Sequence, residues 1–225
     1  VVFEPLFTHF TPLAHGLLRM RILELAAQSH VQINDVLVAR ASERTTAENA
    51  YVTGFGATKR VVLYDTLVKS APHAQVEMVI AHELGHVKHH DVRNGTAEGA
   101  VGAGAAMLAF AVLLRSRRIR APLRIDSMRD PAAALLALSL LGLATFLASP
   151  IEQSLSRKIE AHADAHALEL TNDPSTFIAM QKRLALSNLD HLDPNPVLSF
   201  WFDSHPTTMD RIAMALAYER MQRER

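Results

Sequence analysis

The sequence contains no cysteine. A disulfide framework and a thiolate metal site are therefore excluded. Any metal must be held by His and carboxylate side chains, a donor set that suits zinc in a catalytic centre. Net charge is missing too: 23 Lys and Arg balance 23 Asp and Glu, so the formal charge is zero. That removes the bulk electrostatic case for a nucleic-acid partner. Lysine is scarce, 5 against 18 Arg, and Ala is abundant, which hints at a GC-rich bacterial genome. Charge is absent over two long stretches, Gly99–Leu114 and Pro131–Ile151. No signal peptide is visible and the first residue is Val, so the chain is expected to be part of a longer one. Its 225 residues suffice for one or two domains with a substantial core.

Within residues 73–93 lies His82-Glu83-Leu84-Gly85-His86, an HExxH. On a helix, residues four apart share a face, so His82 and His86 can bind one zinc ion. Glu83 stands beside them as a base for a metal-bound water. Val76, Val79, Ile80, Leu84 and Val87 repeat at 3/4 spacing and predict a helix with one buried face. Ser70 is its expected cap, Pro72 falls in its first turn, and Asn94-Gly95 is its expected stop. With 12 His in the chain a chance HExxH is not negligible, so the motif needs partners.

A catalytic zinc takes three protein ligands and an open position. The pattern HExxHxxGxxH fails, because its last two fixed positions are His89 and Val92. Residues 160–166 offer two i,i+4 pairs, Glu160 with Asp164 and His162 with His166, on roughly opposite faces. In the first pair Glu160 would bind the metal and Asp164 would accept a hydrogen bond from a ligand imidazole. Spacing alone does not decide between the pairs.

The remaining chain frames these helices. Residues 1–15, with Pro5 and Pro12 among Phe3, Phe7 and Phe10, read as an extended segment, and a helix follows Gly16 on Leu17, Leu18, Ile22, Leu25 and Ala26. Val36–Ala39, Ala50–Gly54 and Arg60–Tyr64 are strand candidates, the last two a hairpin, predicting a small antiparallel sheet. Its edge can hold a substrate peptide through main-chain hydrogen bonds. Pro131–Ile151, started by Asp130-Pro131 and ended by Ser149-Pro150, is long enough to span a bilayer. Gly99–Leu114 reaches that length when Thr96–Glu98 are added. The two make a transmembrane hairpin, residues 96–150. Its 115–130 loop holds Arg115, Arg117, Arg118, Arg120, Arg124 and Arg129, a run usual at lipid headgroups. Another helix starts at Asp173-Pro174 and runs to about Leu189. Asp193–Pro196 reads as a loop, and 206–222 as an amphipathic helix with Ile212, Leu216 and Met221 apolar.

These residues bring the chain close to a known family: it resembles the type I CaaX prenyl endopeptidases, integral-membrane zinc proteases, and their bacterial relatives. The resemblance rests on Pro5-Leu6-Phe7 with Phe10-Thr11-Pro12-Leu13, on Asn49-Ala50-Tyr51 with Gly54-Phe55, and on Lys59–Leu67. It continues in Ala81–His86, in Ser156-Arg157, Glu160, Ala163-Asp164 and Ala167, and in Ser204-His205-Pro206 with Arg211. It implies Glu160 as third ligand, Asp164 behind a ligand, and His205 and Arg211 near the substrate. It also implies a mainly α, zincin-like (gluzincin) fold with a small antiparallel sheet, formed by residues 1–95 and 151–225 and interrupted by the hairpin. Further transmembrane helices would precede this region.

The expected activity is zinc-dependent endopeptidase, with one zinc on His82, His86 and Glu160, Glu83 as base, and a substrate strand at Asn49, Ala50 and Tyr51. The expected partners are a membrane-associated or hydrophobic peptide or protein and the lipid bilayer, in a bacterial cytoplasmic membrane with the site facing the cytosol. Two other classes compete. An inactive zinc-binding membrane scaffold would have no need of Glu83, Asp164, His205 and Arg211 together. A transporter subunit would carry ionisable residues inside the spans, where only Glu98 lies near one.

Overall fold

The computed structural model describes residues 9–125, 127, 130–192 and 194–224. The readings made on Phe3, Pro5-Leu6-Phe7, Arg129 and Asp193 fall outside them. The elements are β1 (Phe10–Pro12), α1 (Leu17–Gln28), β2 (Asp35–Ala39), β3 (Ala50–Thr53), β4 (Arg60–Tyr64), α2 (Asp65–Ser70) and α3 (His73–His89). There follow α4 (Asp91–Arg115), α5 (Arg117–Arg120), α6 (Pro131–Thr171), α7 (Pro174–Asn188), α8 (Pro196–Phe202) and α9 (Thr208–Arg223).

The fold is mainly helical with one four-stranded sheet, ordered β1-β2-β4-β3. The sheet is mixed, not antiparallel as expected: β2 runs parallel to β4, while β1–β2 and β3–β4 are antiparallel. Burial gives the reason. Val61, Val62 and Leu63 of β4 are all buried, a continuous apolar run that suits a central strand, whereas β3 is only half-buried beyond Ala50. The β3–β4 hairpin therefore folds with β3 outward, which sets β4 beside β2 in the same direction. Gly54 makes the turn possible: its φ is +105°, and a Cβ there would meet the Thr58 carbonyl oxygen at 2.5 Å.

One face of the sheet packs on α1 and α3. Leu18, Ile22, Leu25 and Ala26 meet Val36, Val61 and Leu63, and these meet Val76, Val79, Ile80 and Leu84. Leu17, assigned to the same apolar stripe, is exposed. Ala167 and Leu168 of α6, Phe177 and Met180 of α7, and Ala215 of α9 close the core. On α9 the expected stripe is rotated: Leu216 and Met221 are exposed, while Ala215 is buried and Met214 and Tyr218 pack behind it.

Three helix boundaries differ from those expected. Ser70 does not cap α3 but closes α2, its hydroxyl donating to Glu48 Oε1 (2.6 Å) and the Thr66 carbonyl (2.7 Å). Ala71 precedes Pro72, which disfavours helix at that residue, so the chain breaks there and restarts at His73. The α3 helix stops at His90 (φ +59°), and Asn94-Gly95 lie inside α4. Asn94 still serves the stop, since its side-chain amide donates to the His89 carbonyl at 3.2 Å. Ser149-Pro150 does not end the second apolar helix either, because α6 runs unbroken for 41 residues through Pro150. A proline in a helix leaves the carbonyl four residues back without its donor. Here that carbonyl is Phe146, and the Trp201 indole N–H donates to it at 2.9 Å. Asp130 caps the start of α6 as expected, accepting from the Ala132 N–H at 2.9 Å.

No residue of α4 is buried, and Pro131–Ile151 of α6 buries only Ala133 and Pro150. Both helices are long and apolar enough to cross a membrane.

Candidate metal centre

The site lies where α3 crosses α6. Gly85 sets the approach, since a Cβ on it would lie 3.0 Å from Ala163 Cα and 3.2 Å from His166 Cβ. His82 and His86 face α6 from either side of Gly85, and Glu160 faces them one turn before Ala163. The ligand atoms offered by His82, His86 and Glu160 all lie within 4.8 Å of one another. His82 Nε2 is 3.1 Å from His86 Nε2 and 3.4 Å from Glu160 Oε2, and His86 Nε2 is 3.5 Å from Glu160 Oε1.

These separations test the fit to a metal. A tetrahedron with bonds of about 2.0–2.1 Å has edges of about 3.4 Å. Protonation gives a second test. His82 Nδ1 lies 2.8 Å from Asp164 Oδ1, and His86 Nδ1 lies 2.9 Å from Asp91 Oδ2. A carboxylate only accepts, so both Nδ1 atoms donate and both neutral imidazoles turn an Nε2 lone pair inward. Two lone pairs and a carboxylate oxygen at such distances call for a shared cation. Burial works against the His82 imidazolium, but the bonds to Asp164 and Glu160 outweigh it and hold the pKa up at about 9. Burial likewise works against the Glu160 and Asp164 carboxylates, and both still stay below the usual range. His82 offsets it for Glu160, and His82 with Arg211 for Asp164.

Asp164 is fully buried. Arg211 Nε donates to its Oδ2 at 2.7 Å and Arg211 Nη2 donates to its Oδ1. Arg211 thus points at Asp164, with Nη2 3.5 Å from His82 Nδ1. His205 stands on the open side, Nε2 3.6 Å from Glu160 Oε1 and Nδ1 2.8 Å from the Ser204 hydroxyl. Glu83 lines the same cleft, of about 130 Å³, with Asn49, His82, Glu160, His205 and Arg211. Burial pushes the Glu83 pKa up, and the neighbouring His82 and His86 pull it part of the way back.

Among the strand residues, Asn49 borders the cleft, Ala50 is buried and Tyr51 is half-buried, its ring edge-on to Tyr64 at 6.3 Å. β3 is an edge of the sheet and packs against α3. His162 and His166 turn away from the cleft: both rings lie about one ring-width from His89, at 6.3 and 6.1 Å, and His166 Nε2 bonds the Ser29 hydroxyl at 3.1 Å.

Two residues beside the site were not singled out in the sequence. Asp91 is one; its signal was a carboxylate just past the His-rich end of α3, brought back by the turn at His90. The other is buried Gln181 of α7, whose amide oxygen, in the orientation that satisfies its neighbours, accepts from Arg211 Nε (3.0 Å) and Nη2 (3.2 Å). Nothing in the sequence ties it to Arg211.

A family model for "Peptidase family M48" matches residues 12–219. The chain belongs to peptidase family M48. It is 32% identical over 217 residues to "Uncharacterized metalloprotease YhfN" of Bacillus subtilis, covering 96% of this chain and 51% of that protein. It is 33% identical to "CAAX prenyl protease 1 homolog" of Oryza sativa subsp. japonica over 95% of this chain and 50% of the relative. The crystal structure of S. mikatae Ste24p superposes with a TM-score of 0.83 at 27% identity, over 96% of this chain and 53% of that one. The chain thus spans about half the length of the relatives it matches. The resemblance read from the sequence is borne out, and the His82–His86–Glu160 cluster is consistent with this family's metal site.

Proposed function

We propose that the chain is the catalytic part of a membrane-embedded, zinc-dependent endopeptidase. The observation that carries this is the convergence of two imidazole lone pairs and a carboxylate oxygen at metal-ligand spacing, with Glu83 in the same cleft. Zinc held by His82, His86 and Glu160 would polarise the scissile carbonyl and acidify a water molecule. Glu83 accepts a proton as that water attacks the carbonyl carbon, then delivers it to the amine as the C–N bond breaks. Its burial-raised pKa brings it nearer to the pH at which a base must also act as an acid. The His205 Nε2–H, on the open side, donates to the oxygen on which negative charge develops.

The other residues hold these in place. Asp164 and Asp91 fix the tautomers of His82 and His86. Gln181 holds Arg211 and Arg211 holds Asp164, so Arg211 acts through Asp164 on His82 rather than on the substrate. The edge strand β3, with Asn49 just before it, would hold the peptide extended, Ala50 contributing only its backbone.

The membrane setting is supported by the exposed apolar faces of α4 and α6. A hydrophobic or lipid-bearing peptide at the membrane surface is the substrate class that this setting favours. The test is Glu83→Gln. It should keep zinc, measured by metal analysis, and lose peptide hydrolysis by about 10²–10⁴-fold, the usual contribution of a general base. Turnover like that of the unmodified chain would refute the mechanism.

A further inference from the structure

Outside the two long helices, α8, Pro-Val-Leu-Ser-Phe-Trp-Phe, is an exposed apolar element that has no charged residue and buries none. Val197, Leu198, Phe200 and Phe202 are 68%, 57%, 49% and 58% exposed. Its first backbone donors are satisfied by the Asn195 side chain, which accepts from the N–H groups of Val197 and Leu198. What remains uncovered is therefore side-chain surface.

Its height along α6 is fixed. The Trp201 indole N–H donates to the Phe146 carbonyl, and the Ser149 hydroxyl donates to the Trp201 carbonyl at 2.6 Å. The Trp201 and Phe146 rings stack at 4.9 Å. Phe146 and Ser149 belong to the uncharged stretch 131–151, so α8 is pinned beside its last turns. Farther along, Arg157 Nη1 donates to the carbonyls of Asp203 (2.7 Å) and Ser199 (3.2 Å). Charge thus begins where α8 meets the segment that leads to His205. Apolar side chains, one Trp, and an Arg at the polar end form the pattern of a membrane–water boundary.

We infer that α8 is an interfacial helix: Val197, Leu198, Phe200 and Phe202 seat among phospholipids at the headgroup–acyl boundary, beside the exit of α6 from the bilayer. The inference rests on the proposed membrane setting. It adds that the His205 segment hangs from a lipid-bound anchor, since Asp203-Ser204-His205 follow α8 directly.

The chain contains one Trp and no Cys, which makes the test direct. The chain is reconstituted into phosphatidylcholine vesicles whose acyl chains carry bromine either near the headgroup or near the chain end. Trp201 is expected to lose about half its emission or more to the shallow bromines, less to the deep ones, and little to aqueous acrylamide, as a side chain about 5–10 Å below the headgroups would. Quenching by acrylamide alone would place α8 in water and overturn the inference. Protection from both quenchers would mean that protein covers it, and would overturn it equally. A nitroxide on Leu141→Cys, at the middle of the 131–151 stretch, tests the membrane setting separately. If Leu141 is buried in lipid and Trp201 is not, the anchor falls and the setting stands. If neither meets lipid, both fall.

Discussion

Replacing Gly85 by Ala tests whether the α3–α6 crossing sets the metal centre. A new Cβ would meet Ala163 Cα at 3.0 Å, His166 Cβ at 3.2 Å and the Ala163 carbonyl oxygen at 3.3 Å. Carbon contacts are comfortable at about 3.5–4.0 Å, so the helices must part by roughly 0.5–1 Å. None of the three atoms is the free end of a flexible side chain, and the helices have to move as bodies. Overpacking of this kind costs about 1–3 kcal/mol, and the better helix propensity of Ala returns about 1 kcal/mol. The net loss is about 0–2 kcal/mol, which leaves the chain folded. The centre has far less tolerance. Metal–ligand distances hold within about 0.2 Å, and an error near 1 Å at a reacting centre can cost about 100-fold in rate. Gly85→Ala should therefore show a near-native urea midpoint in chelator, which removes any stabilisation by bound metal. Its zinc affinity should be weakened and peptide turnover should fall about 100-fold. Gly102→Ala, with nothing within 4 Å of its new Cβ, is the control and should change neither. Native zinc affinity and turnover in Gly85→Ala would refute the claim that this crossing positions the ligands.

Three further outcomes follow from the same contacts. Asp91→Asn should lower zinc affinity about 10–100-fold in chelator competition while the fold persists, because it weakens only the support of His86. Trp201→Phe should destabilise α6 by leaving the Phe146 carbonyl short of a donor. Pro150→Ala in that background should restore stability by supplying the helical N–H, a non-additivity readable in thermal melts. His166 is buried against Ser29, with Lys88 and His89 facing it from α3. Burial first and those two charges next push its pKa down to about 4. Because the unfolded chain takes up this proton near pH 6.5, its stabilising effect is complete above that pH and is lost as pH falls towards 4. His166→Gln should flatten the urea midpoint across that window.

The metal helix was legible because its information is local. Two His four apart, a Glu beside the first, and an apolar repeat from Val76 to Val87 define one face without reference to the rest of the chain. The choice of Glu160 over His162 and His166 was not local, since both pairs sit on one helix at the same spacing. It depends on which side of α6 turns to Gly85, and Ala163 answers that only once the two helices are docked. The same holds for Gln181, which enters the site through the packing of α7 on α9. Boundaries failed where a tertiary partner replaced a local rule. Pro150 reads as a helix stop until the Trp201 indole takes the orphaned carbonyl. Asn94-Gly95 reads as a stop until His90 adopts the left-handed conformation first. The sheet direction turned on which strand was most apolar, and β4 carried that signal in Val61-Val62-Leu63.

The continuity of α6 through Pro150 has a mechanistic consequence. Glu160 is nine residues past Ile151, the last uncharged residue of the apolar stretch, and both lie on one unbroken helix. On the proposed membrane setting, at 1.5 Å per residue, a helix near the bilayer normal would hold the metal centre about 14 Å outside the apolar layer. An extended chain covers about 3.3 Å per residue, so roughly four substrate residues bridge that distance. A break at Pro150 would have let the catalytic part swing and loosened this spacing. The bond from Trp201 to Phe146 of α6, and that from Arg157 of α6 to the Asp203 carbonyl, remove that freedom on the side where His205 follows α8. A peptide anchored in the membrane would then be cut a few residues from its anchor. Lengthening the linker between anchor and scissile bond should shift cleavage to the bond that again lies about four residues from the anchor, whereas shortening it below that length should abolish cleavage.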